Sequence, residues 1–511
     1  MKAHLLYKDR DLDLEAAPLP NEAELIQDLE LSTLFAAMAS GDRFLYAVAQ
    51  RSVMSGLEDP EAIVYRQHVL ADCLAHPEIT RQLYEIAVAA VTQEKKIYRP
   101  VFVYPSSILR RSVEVLQIFI GLLKQLRTLA DEHVDTFDSE GFTTFFAMIR
   151  AELGDEYFRT IEDHLKRLRF RDGVLLSAEL GTGNRGVHYV LRTPSGERQS
   201  LKERIGIGPH TSYLFAIAPR DEAGAKALSE LTDRGINLAA NALAQSTDHV
   251  LSFFTMLCRE LGFYVSCLNL HEKLAEKGGP VCTPVPLPTD APILGSAGLC
   301  DVCLTLRTES RVVGNDIAAD GKSLVIITGA SSGGKSTLLR SIGLAQLMMQ
   351  CGMFVCAESY RANLCTGVFT HFIREEDSSM TSGKFDEELA RMSLLADQMT
   401  PRAMVLFNES FAATNEREGS EIARQIVRAL LEVGVKVLFV THMFDLAESF
   451  YLEKLDTALF LRAERGDNGT RSFKVVEGEP LPTSYGEDLY ERIGGWSGRS
   501  GADHLALQVG V

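Results

Sequence analysis

Apolar side chains recur at intervals of three and four residues from residue 21 to about residue 98, with few glycines or prolines between them. This spacing is typical of amphipathic helices. The same pattern returns between residues 113 and 123 and again from residue 222 to about residue 277. Residues 1–277 are therefore predicted to form a mainly α-helical domain.

A different pattern interrupts the helices after Arg171. Segments 174–180 and 187–192 are strand-like and enclose the glycine-rich stretch 181–186, which predicts a hairpin within a β-rich insertion of about residues 171–215. The glycines also spell the dinucleotide fingerprint GxGxxG. That fingerprint requires a helix after it, whereas a strand follows here, so the pattern favours a turn.

Glycine and proline break the helical pattern at residues 278–294, which we interpret as a linker. After it, short apolar runs alternate with helical segments as far as residue 495, and a tail of residues 496–511 follows. Such alternation is typical of an α/β domain with a mostly parallel sheet. The predicted strands of this domain, residues 295–495, are 324–328, 353–357, 368–372, 403–407, 437–441 and 458–461.

A glycine-rich segment follows the first of these strands, matches the phosphate-binding pattern GxxxxGK[ST] and opens a predicted helix. In that context the glycines let backbone N–H groups wrap phosphate oxygens, and the helix N-terminus adds positive potential. Lys335 would reach the β- and γ-phosphates of ATP, and Ser336 would bind Mg²⁺. The residues of this P-loop are Gly329, Ala330, Ser331, Ser332, Gly333, Gly334, Lys335 and Ser336.

The same loop fits a second motif, because Gly329, Ser331 and Gly333 match the GxSxG elbow of α/β-hydrolases. Ser331 would then be the nucleophile and His442 the triad histidine. This alternative leaves the residues at 334–336 without a role, so it ranks far behind the P-loop.

Two polar residues, Asn408 and Glu409, end the predicted strand 403–407. This is the position and type of a Walker B motif, where a carboxylate meets Mg²⁺ or the attacking water. Glu409 is therefore the candidate general base and Asn408 a candidate Mg²⁺ contact. Without the P-loop, the same pair would be an ordinary polar strand end.

The net charge of -17 disfavours a protein that coats DNA, because phosphate binding depends on Lys and Arg. Any DNA contact must be local. Between residues 166 and 204, nine basic residues stand against four acidic ones. This basic island is either a DNA contact or a solvated charged face, and its candidate DNA-binding residues are Lys166, Arg167, Arg169, Arg171, Arg185 and Arg192.

The nine cysteines are irregularly spaced and lie mostly in apolar runs, as expected for buried thiols in a reducing compartment. The single CxxC, Cys300 and Cys303, lacks a second pair at zinc spacing and is interpreted as two core thiols. Residues 1–13 do not resemble a secretory signal, and the apolar stretch 113–123 is too short to span a bilayer. We therefore expect a cytoplasmic protein with no membrane association.

A series of segments, taken in order, resembles the ATPase domain of the MutS mismatch-repair family over roughly residues 295–495. They are 313–317, 328–337, 349–357, 368–370, 405–409, 413–419, 439–442 and 482–486. Residues 53–70 are similar to the lever region of that family. The resemblance implies an α/β P-loop ATPase fold of the ABC and MutS type, preceded by a helical core and lever domain.

The resemblance also implies roles for particular residues. Asn315 would lie near the adenine, Thr337 would join Lys335 and Ser336 at the phosphates, and His442 would sense the γ-phosphate. The family's signature loop, which completes the site of a partner subunit, corresponds to Ser382, Gly383 and Lys384. ATP and Mg²⁺ are the implied cofactors, and a homodimer is the implied assembly.

Two departures from the family pattern affect these expectations. Asn408 stands where the family has Asp, which predicts weaker Mg²⁺ binding. The signature loop is shortened to residues 382–385, which leaves open the residue that reaches across to a partner.

The sequence thus predicts a stand-alone MutS-family ATPase without the mismatch-reading, connector and nuclease domains. It would couple ATP binding and slow hydrolysis to lever movement and DNA binding, in repair or recombination. The alternative is an ATP-dependent protein-assembly switch that does not bind DNA. The α/β-hydrolase is the remote third hypothesis.

Overall fold

The computed structural model describes residues 1–98, 104–171, 173–193, 215–288, 291–374, 383–465 and 470–482. Several predicted segments lie partly or wholly outside these residues. They are 194–214 of the β-rich insertion, Ser382, 483–486 of the last family segment, and the tail 496–511.

The described residues form two compact units. The first contains residues 1–3, 81–137 and 142–259, and the second contains residues 4–80, 138–141 and those from 260 onward. This division by contact differs from the predicted division by chain order, because residues 4–80 fold together with the P-loop region.

Helices dominate the N-terminal half, as predicted. They are α1 (Glu22–Asp28), α2 (Leu31–Ala39), α3 (Arg43–Met54), α4 (Pro60–Ala75), α5 (Pro77–Lys96), α6 (Pro105–Glu132), α7 (Glu140–Glu152), α8 (Asp155–Arg167) and α9 (Glu222–Glu276). Local signals begin several of them. Asp59, for example, accepts hydrogen bonds from the backbone N–H groups of Glu61 and Ala62 and precedes a proline at the first helical position, where the missing N–H costs nothing.

The predicted hairpin is confirmed. Strands β1 (Leu176–Leu180) and β2 (Gly186–Leu191) pair antiparallel, and a short 3₁₀ turn at Thr182–Asn184 joins them. Gly183 in that turn has φ 69°, a conformation that favours glycine. The GxGxxG stretch is therefore a turn and not a dinucleotide site.

Helix α9 is long and apolar enough to cross a membrane by length and composition. However, 72% of its most apolar window is buried inside the protein, as in the core helix of a globular domain. It is the one such helix among the residues that the structure describes, and it is weak evidence for a membrane span.

The described residues of the second half of the chain form two sheets. The strands are β3 (Val285–Leu287), β4 (Leu294–Leu299), β5 (Asn315–Ala318), β6 (Leu324–Gly329), β7 (Ser359–Asn363), β8 (Val368–Phe372), β9 (Met404–Asn408), β10 (Lys436–Val440), β11 (Ala458–Arg465) and β12 (Arg471–Glu477). The helices are α10 (Val302–Arg307), α11 (Lys335–Gln350), α12 (Lys384–Gln398), α13 (Glu416–Glu432) and α14 (Phe444–Glu453).

The main sheet has the order β12-β11-β6-β10-β9-β8 and is parallel except for β12. Both faces are covered. Phe407 belongs to a buried cluster with side chains from α12, α13 and α14, while its neighbour Leu406 packs against Gly343 of α11. This explains why the central strands read as continuous apolar runs. The α/β fold with a mostly parallel sheet is confirmed.

One predicted strand is wrong. Residues 353–357 are buried, but they form only an isolated bridge between Val355 and Cys282, and the strand of this region is β7. The backbone N–H of Met353 instead closes the end of α11 by donating to the carbonyl of Met348. An apolar run by itself does not distinguish a strand from another buried segment.

Candidate nucleotide-binding site

The P-loop connects the end of β6 to the start of α11. Gly329 and Gly334 have φ values of 102° and 93°, which side chains rarely adopt. A Cβ atom on Gly329 would lie 3.0 Å from the backbone nitrogen of Ala463, and one on Gly334 would lie 3.3 Å from the carbonyl oxygen of Phe473. The glycines therefore let the loop turn tightly against β11 and β12 and direct the N-terminus of α11 into the site.

Lys335 lies inside this loop and is only 5% exposed. Its Nζ atom donates to the carbonyl oxygens of Gly329, at 3.0 Å, and Ala330, at 3.1 Å. Burial lowers the pKa of Lys335, and the carboxylate of Glu409 opposes that shift. The loop thus holds a buried ammonium group where phosphate oxygens would enter.

Strand order explains how residues far apart in the chain reach the loop. Strand β10 lies between β6 and β9, so the carboxyl ends of the three strands meet at one edge of the sheet. Asn408 ends β9, and His442 follows β10 after one residue. The structure therefore brings Asn408, Glu409 and His442 beside the P-loop, at the edge where open α/β sheets bind ligands.

Ser336 and Asn408 form the candidate Mg²⁺ contact. The Oγ atom of Ser336 donates to Oδ1 of Asn408 over 2.8 Å. Both oxygens are neutral and of the hard type that Mg²⁺ prefers, and the nearest carboxylate along the chain is that of Glu409. The donor set therefore fits Mg²⁺, with less negative charge than a carboxylate at residue 408 would provide.

Glu409 and His442 face each other. The backbone N–H of His442 donates to Oε2 of Glu409 over 3.0 Å, and Nε2 of His442 lies 3.1 Å from Oε1. Burial raises the pKa of Glu409 to about 7, although the charge of Lys335 opposes the rise. Burial and Lys335 together lower the pKa of His442 to about 4. At neutral pH the imidazole is therefore uncharged, and Glu409 is poised between its two protonation states.

A cavity of about 450 Å³ lies along the P-loop, from Ser331 to Thr337, and includes Glu409 and His442. Asn315 lines it as well, but its amide is already bonded: Nδ2 donates to the carbonyl of Phe473 over 3.2 Å, and Oδ1 accepts from the N–H of Val475 over 2.8 Å. Asn315 thus attaches β5 to β12 at the edge of the cavity.

Phe473 has no counterpart among the residues predicted from sequence. It lines the cavity, is 49% exposed and sits opposite Asn315. An exposed aromatic ring beside a phosphate-binding loop is a natural surface for a base, but no local motif marks it. Only the pairing of β12 with β11 brings Phe473 to the P-loop.

A second cavity of about 940 Å³ adjoins the first, because Ser336 and Thr337 line both. Lys384, the first residue of α12, and Asn408 also line it. Gly383 precedes α12 as its N-cap residue. Of the three predicted signature-loop residues, Ser382 lies outside the described residues.

The hydrolase hypothesis finds no support in this geometry. A triad needs the nucleophile to bond the histidine, and among the described residues no hydrogen bond joins the Ser331 hydroxyl to His442, although His442 does contact the carboxylate of Glu409. The carbonyl oxygen of Ser331 accepts from Nε of Arg471 over 3.3 Å, as part of a loop held against β12.

The six candidate DNA-binding residues are all exposed in the first compact unit. Arg167 pairs with Asp163 at 2.7 Å, and Arg169 donates to Oε1 of Gln117 over 2.6 Å. The segments that carry them are held together by one small apolar cluster. Its members are Leu109, Ile236 and Ala240, packed against Ile108, Leu168, Phe170, Val174, Leu191 and Leu243. Apolar neighbours of Arg167, Arg169, Arg171 and Arg192 in the chain therefore share one cluster.

The loop between β6 and α11 and the polar strand ends beside it place the second half of the chain in the class of P-loop ATPases. Comparison with known families gives the particular group. Residues 325–494 match the family described as MutS domain V, and residues 58–277 match the MutS2 N-terminal domain. The chain belongs to the MutS family, which confirms the resemblance seen in the sequence.

Two curated relatives match the chain over its ATPase part. The DNA mismatch repair protein MutS of Thermotoga sp. (strain RQ2) is 33% identical over 190 residues, which are 37% of this chain and 24% of the relative. The DNA mismatch repair protein MutS of Thermus thermophilus is 32% identical over 189 residues, 37% of this chain and 23% of the relative. The chain spans about a quarter of the length of these curated relatives.

Proposed function

We propose that this protein binds ATP with Mg²⁺ in the cavity along the P-loop and hydrolyses ATP slowly, with Glu409 as the general base. The observation that carries the proposal is the meeting of Lys335, Ser336 and Glu409 at one edge of a parallel sheet. A phosphate cradle, a metal-binding hydroxyl and a partly buried carboxylate are the parts that phosphoryl transfer to water requires.

The cavity suggests how the nucleotide lies. The phosphates would follow the loop backbone and the N-terminus of α11, with Lys335 releasing its two carbonyl contacts to meet them. The adenine would pack against Phe473, whose position Asn315 holds. Ser336 and Asn408 would hold Mg²⁺, which when bound neutralises phosphate charge and orients the γ-phosphate.

Glu409 would orient the attacking water and accept its proton. A pKa of about 7 suits this task, because the carboxylate is available at neutral pH and is also basic enough to take a proton. His442 donates its backbone N–H to the same carboxylate and, uncharged, would direct its imidazole toward the γ-phosphate. Asn408 supplies no negative charge, which fits slow turnover.

Dimerisation through the ATPase domain is part of the proposal, because MutS ATPase domains typically act in pairs. Residues 382–384 would reach the ATP of the second subunit. Light scattering with and without ATP tests this, and the expected result is a mass that doubles when ATP is added. A monomer under both conditions, across micromolar protein, would remove the dimer from the proposal.

DNA binding is proposed for the basic island on the first compact unit. The relatives are named DNA mismatch repair proteins, and the exposed basic side chains around one apolar cluster are the local positive surface that an acidic protein needs to contact phosphates. Nucleotide-driven movement of the helical lever would regulate this contact. The free cysteines, nearly all buried, suit the reducing cytoplasm.

A second candidate function is an ATP-dependent protein-assembly switch that does not contact DNA. The net charge of -17 favours it. Filter binding of duplex DNA across a salt series separates the two, because phosphate contacts produce affinity that falls steeply with salt.

The decisive experiment measures phosphate release by the purified chain with and without duplex, mismatched and branched DNA. Glu409→Gln should retain ATP while losing about 10²- to 10⁴-fold in rate, the usual contribution of a general base. Glu432→Gln, at an exposed position near the end of α13, is the matched control and should behave like the parent. Equal rates for parent and Glu409→Gln would refute the assignment of Glu409.

A further inference from the structure

The turn that carries Glu409 has an unusual backbone. Glu409 and Phe411 have φ values of 55° and 65°, so two residues with side chains adopt the left-handed conformation on either side of Ser410. Such conformations are disfavoured for residues other than glycine and persist only where the surroundings hold them. The candidate base therefore leaves the sheet on a strained turn that something else must maintain.

Buried hydrogen bonds hold this turn. The backbone N–H of Phe411 donates to Oε2 of Glu388 on α12 over 3.1 Å. His371, on β8, donates from Nε2 to the carbonyl of Glu388 over 3.0 Å, which leaves Nδ1 as an acceptor. The hydroxyl of Ser410 is shared between that Nδ1, at 2.8 Å, and the carbonyl of His371. None of these four residues is more than 2% exposed.

Close packing reinforces the hydrogen bonds. The ring of His371 stacks on the ring of Phe411, with centroids 5.2 Å apart and planes 16° apart. On the opposite side, a Cβ atom on Gly419 of α13 would lie only 2.4 Å from the carbonyl oxygen of Phe411. The turn at residues 409–411 thus packs against β8, α12 and α13.

Glu409 lines the nucleotide cavity, whereas His371, Ser410 and Phe411 are absent from the described residues that line it. A role of His371 and Ser410 in the reaction must therefore pass through Glu409. Glu388 lines the second, adjoining cavity, and its link to Glu409 is the hydrogen bond that it accepts from Phe411. We propose that His371, Ser410 and Glu388 are positioning residues, which keep Glu409 in the left-handed conformation and so aim its carboxylate across the cavity toward Lys335 and His442. This inference rests on the proposed ATPase function.

The test uses substitutions that remove single contacts from the full-length chain. Ser410→Ala removes the hydroxyl that reaches His371. Glu388→Ala removes the acceptor of the Phe411 N–H, while Glu388→Gln keeps an acceptor oxygen at that place. Ser266→Ala is the matched control, because Ser266 is also fully buried and donates to a backbone carbonyl, that of Gly262 on α9.

For each variant, kcat and KM are measured by phosphate release, and ATP affinity is measured by titration with a fluorescent ATP analogue. Thermal unfolding shows whether the variant is folded. Ser410→Ala and Glu388→Ala should lose about 10- to 100-fold in kcat, the loss expected when a catalytic group moves by about 1 Å. KM and ATP affinity should change less than about threefold, because the phosphate cradle is intact. Glu388→Gln should restore kcat to within about threefold of the parent, and Ser266→Ala should match the parent.

A double-mutant cycle separates positioning from general weakening of the fold. In the background of Glu409→Gln, Ser410→Ala should cause no further loss of kcat, because its effect passes through the carboxylate already removed. The inference would be overturned if Ser410→Ala lowered kcat by the same factor in the Glu409→Gln background as in the parent. It would also be overturned if Glu388→Ala had the same kcat as the parent. If Glu388→Ala does not fold, Ser410→Ala and the cycle still decide.

Failure of the underlying function would look different. If the parent does not hydrolyse ATP, or if Glu409→Gln turns over at the parental rate, the ATPase proposal fails before the turn is tested. If Glu409→Gln is inactive but Ser410→Ala and Glu388→Ala keep the parental kcat, only the positioning inference fails.

Discussion

The protonation of Glu409 should control how hydrolysis depends on pH. Burial raises its pKa from an ordinary value of 4.5 to about 7, against the opposing charge of Lys335. A general base acts only when deprotonated. With a pKa of about 7 in the free protein, the carboxylate fraction is about one tenth at pH 6 and about nine tenths at pH 8, so kcat/KM should rise about tenfold between those values. His442 stays uncharged throughout, since its pKa is lowered to about 4.

Stability should change in the opposite direction. A carboxyl group whose pKa is raised on folding binds its proton more tightly in the folded state. Its contribution is therefore fully present below pH 4.5 and is lost as pH rises through about 7. A shift of this size corresponds to a loss of about 3 kcal/mol. A rise of activity while the unfolding temperature falls would exclude improved folding as the cause. Burial also raises the pKa of Glu260 to about 7, so the contribution of Glu409 to the fall is the part that Glu409→Gln removes.

The assay measures phosphate release at saturating Mg²⁺ and at ATP concentrations well below KM, where the rate reports kcat/KM, from about pH 5.5 to about pH 8.5. Glu409→Gln, assayed in the same buffers, controls for titration of ATP itself. The parent should show an inflection near pH 7 that is absent from the variant. A flat profile in the parent, or the same inflection in both proteins, would refute the assignment.

Three further predictions concern the site and the basic island. Lys335→Ala should lower ATP affinity by about 100-fold or more with little change in unfolding temperature, because the hydrogen bonds that its ammonium group makes within the described residues go to two loop carbonyls. Unchanged affinity in an ATP titration would contradict the P-loop assignment. Asn408→Asp should reduce the Mg²⁺ concentration needed for half-maximal hydrolysis and leave kcat equal or higher, because it adds the negative charge that the metal site lacks. An unchanged Mg²⁺ titration would show that residue 408 does not contact the metal. Replacing Arg167, Arg169 and Arg171 by Ala should weaken DNA binding about equally for all sequences. The slope of log affinity against log salt concentration should fall by roughly one for each phosphate interaction removed. Unchanged filter binding would assign these residues to a solvated face.

The parts of the site that depend on local conformation were predictable from sequence. A phosphate-binding loop needs glycines at fixed offsets between a strand and a helix, and residues 329–336 meet that need within one segment. The alternation of apolar runs with helical segments likewise predicted the parallel sheet. The strand-like segment after the glycines at 181–186 predicted a turn there and not a dinucleotide site. In these cases the information lies within a few residues of the structure that it specifies.

Other features depend on which strands become neighbours. Glu409 could be proposed as the base from its place after an apolar strand, but only the insertion of β10 between β6 and β9 brings it to Lys335. Phe473 reaches the P-loop because β12 pairs with β11, and no motif predicts that pairing. Residues 353–357 had the composition of a strand, but their pairing stops at the isolated bridge between Val355 and Cys282.

The turn at Glu409 shows the same division most clearly. Its left-handed residues, Glu409 and Phe411, have no sequence pattern that predicts them, because glycine would be expected at such positions. Their conformation is held by His371, Glu388 and Gly419, which come from three other elements of the chain. Sequence determines what each segment can form by itself, whereas the conformation of this turn depends on contacts that exist only after distant segments have packed together.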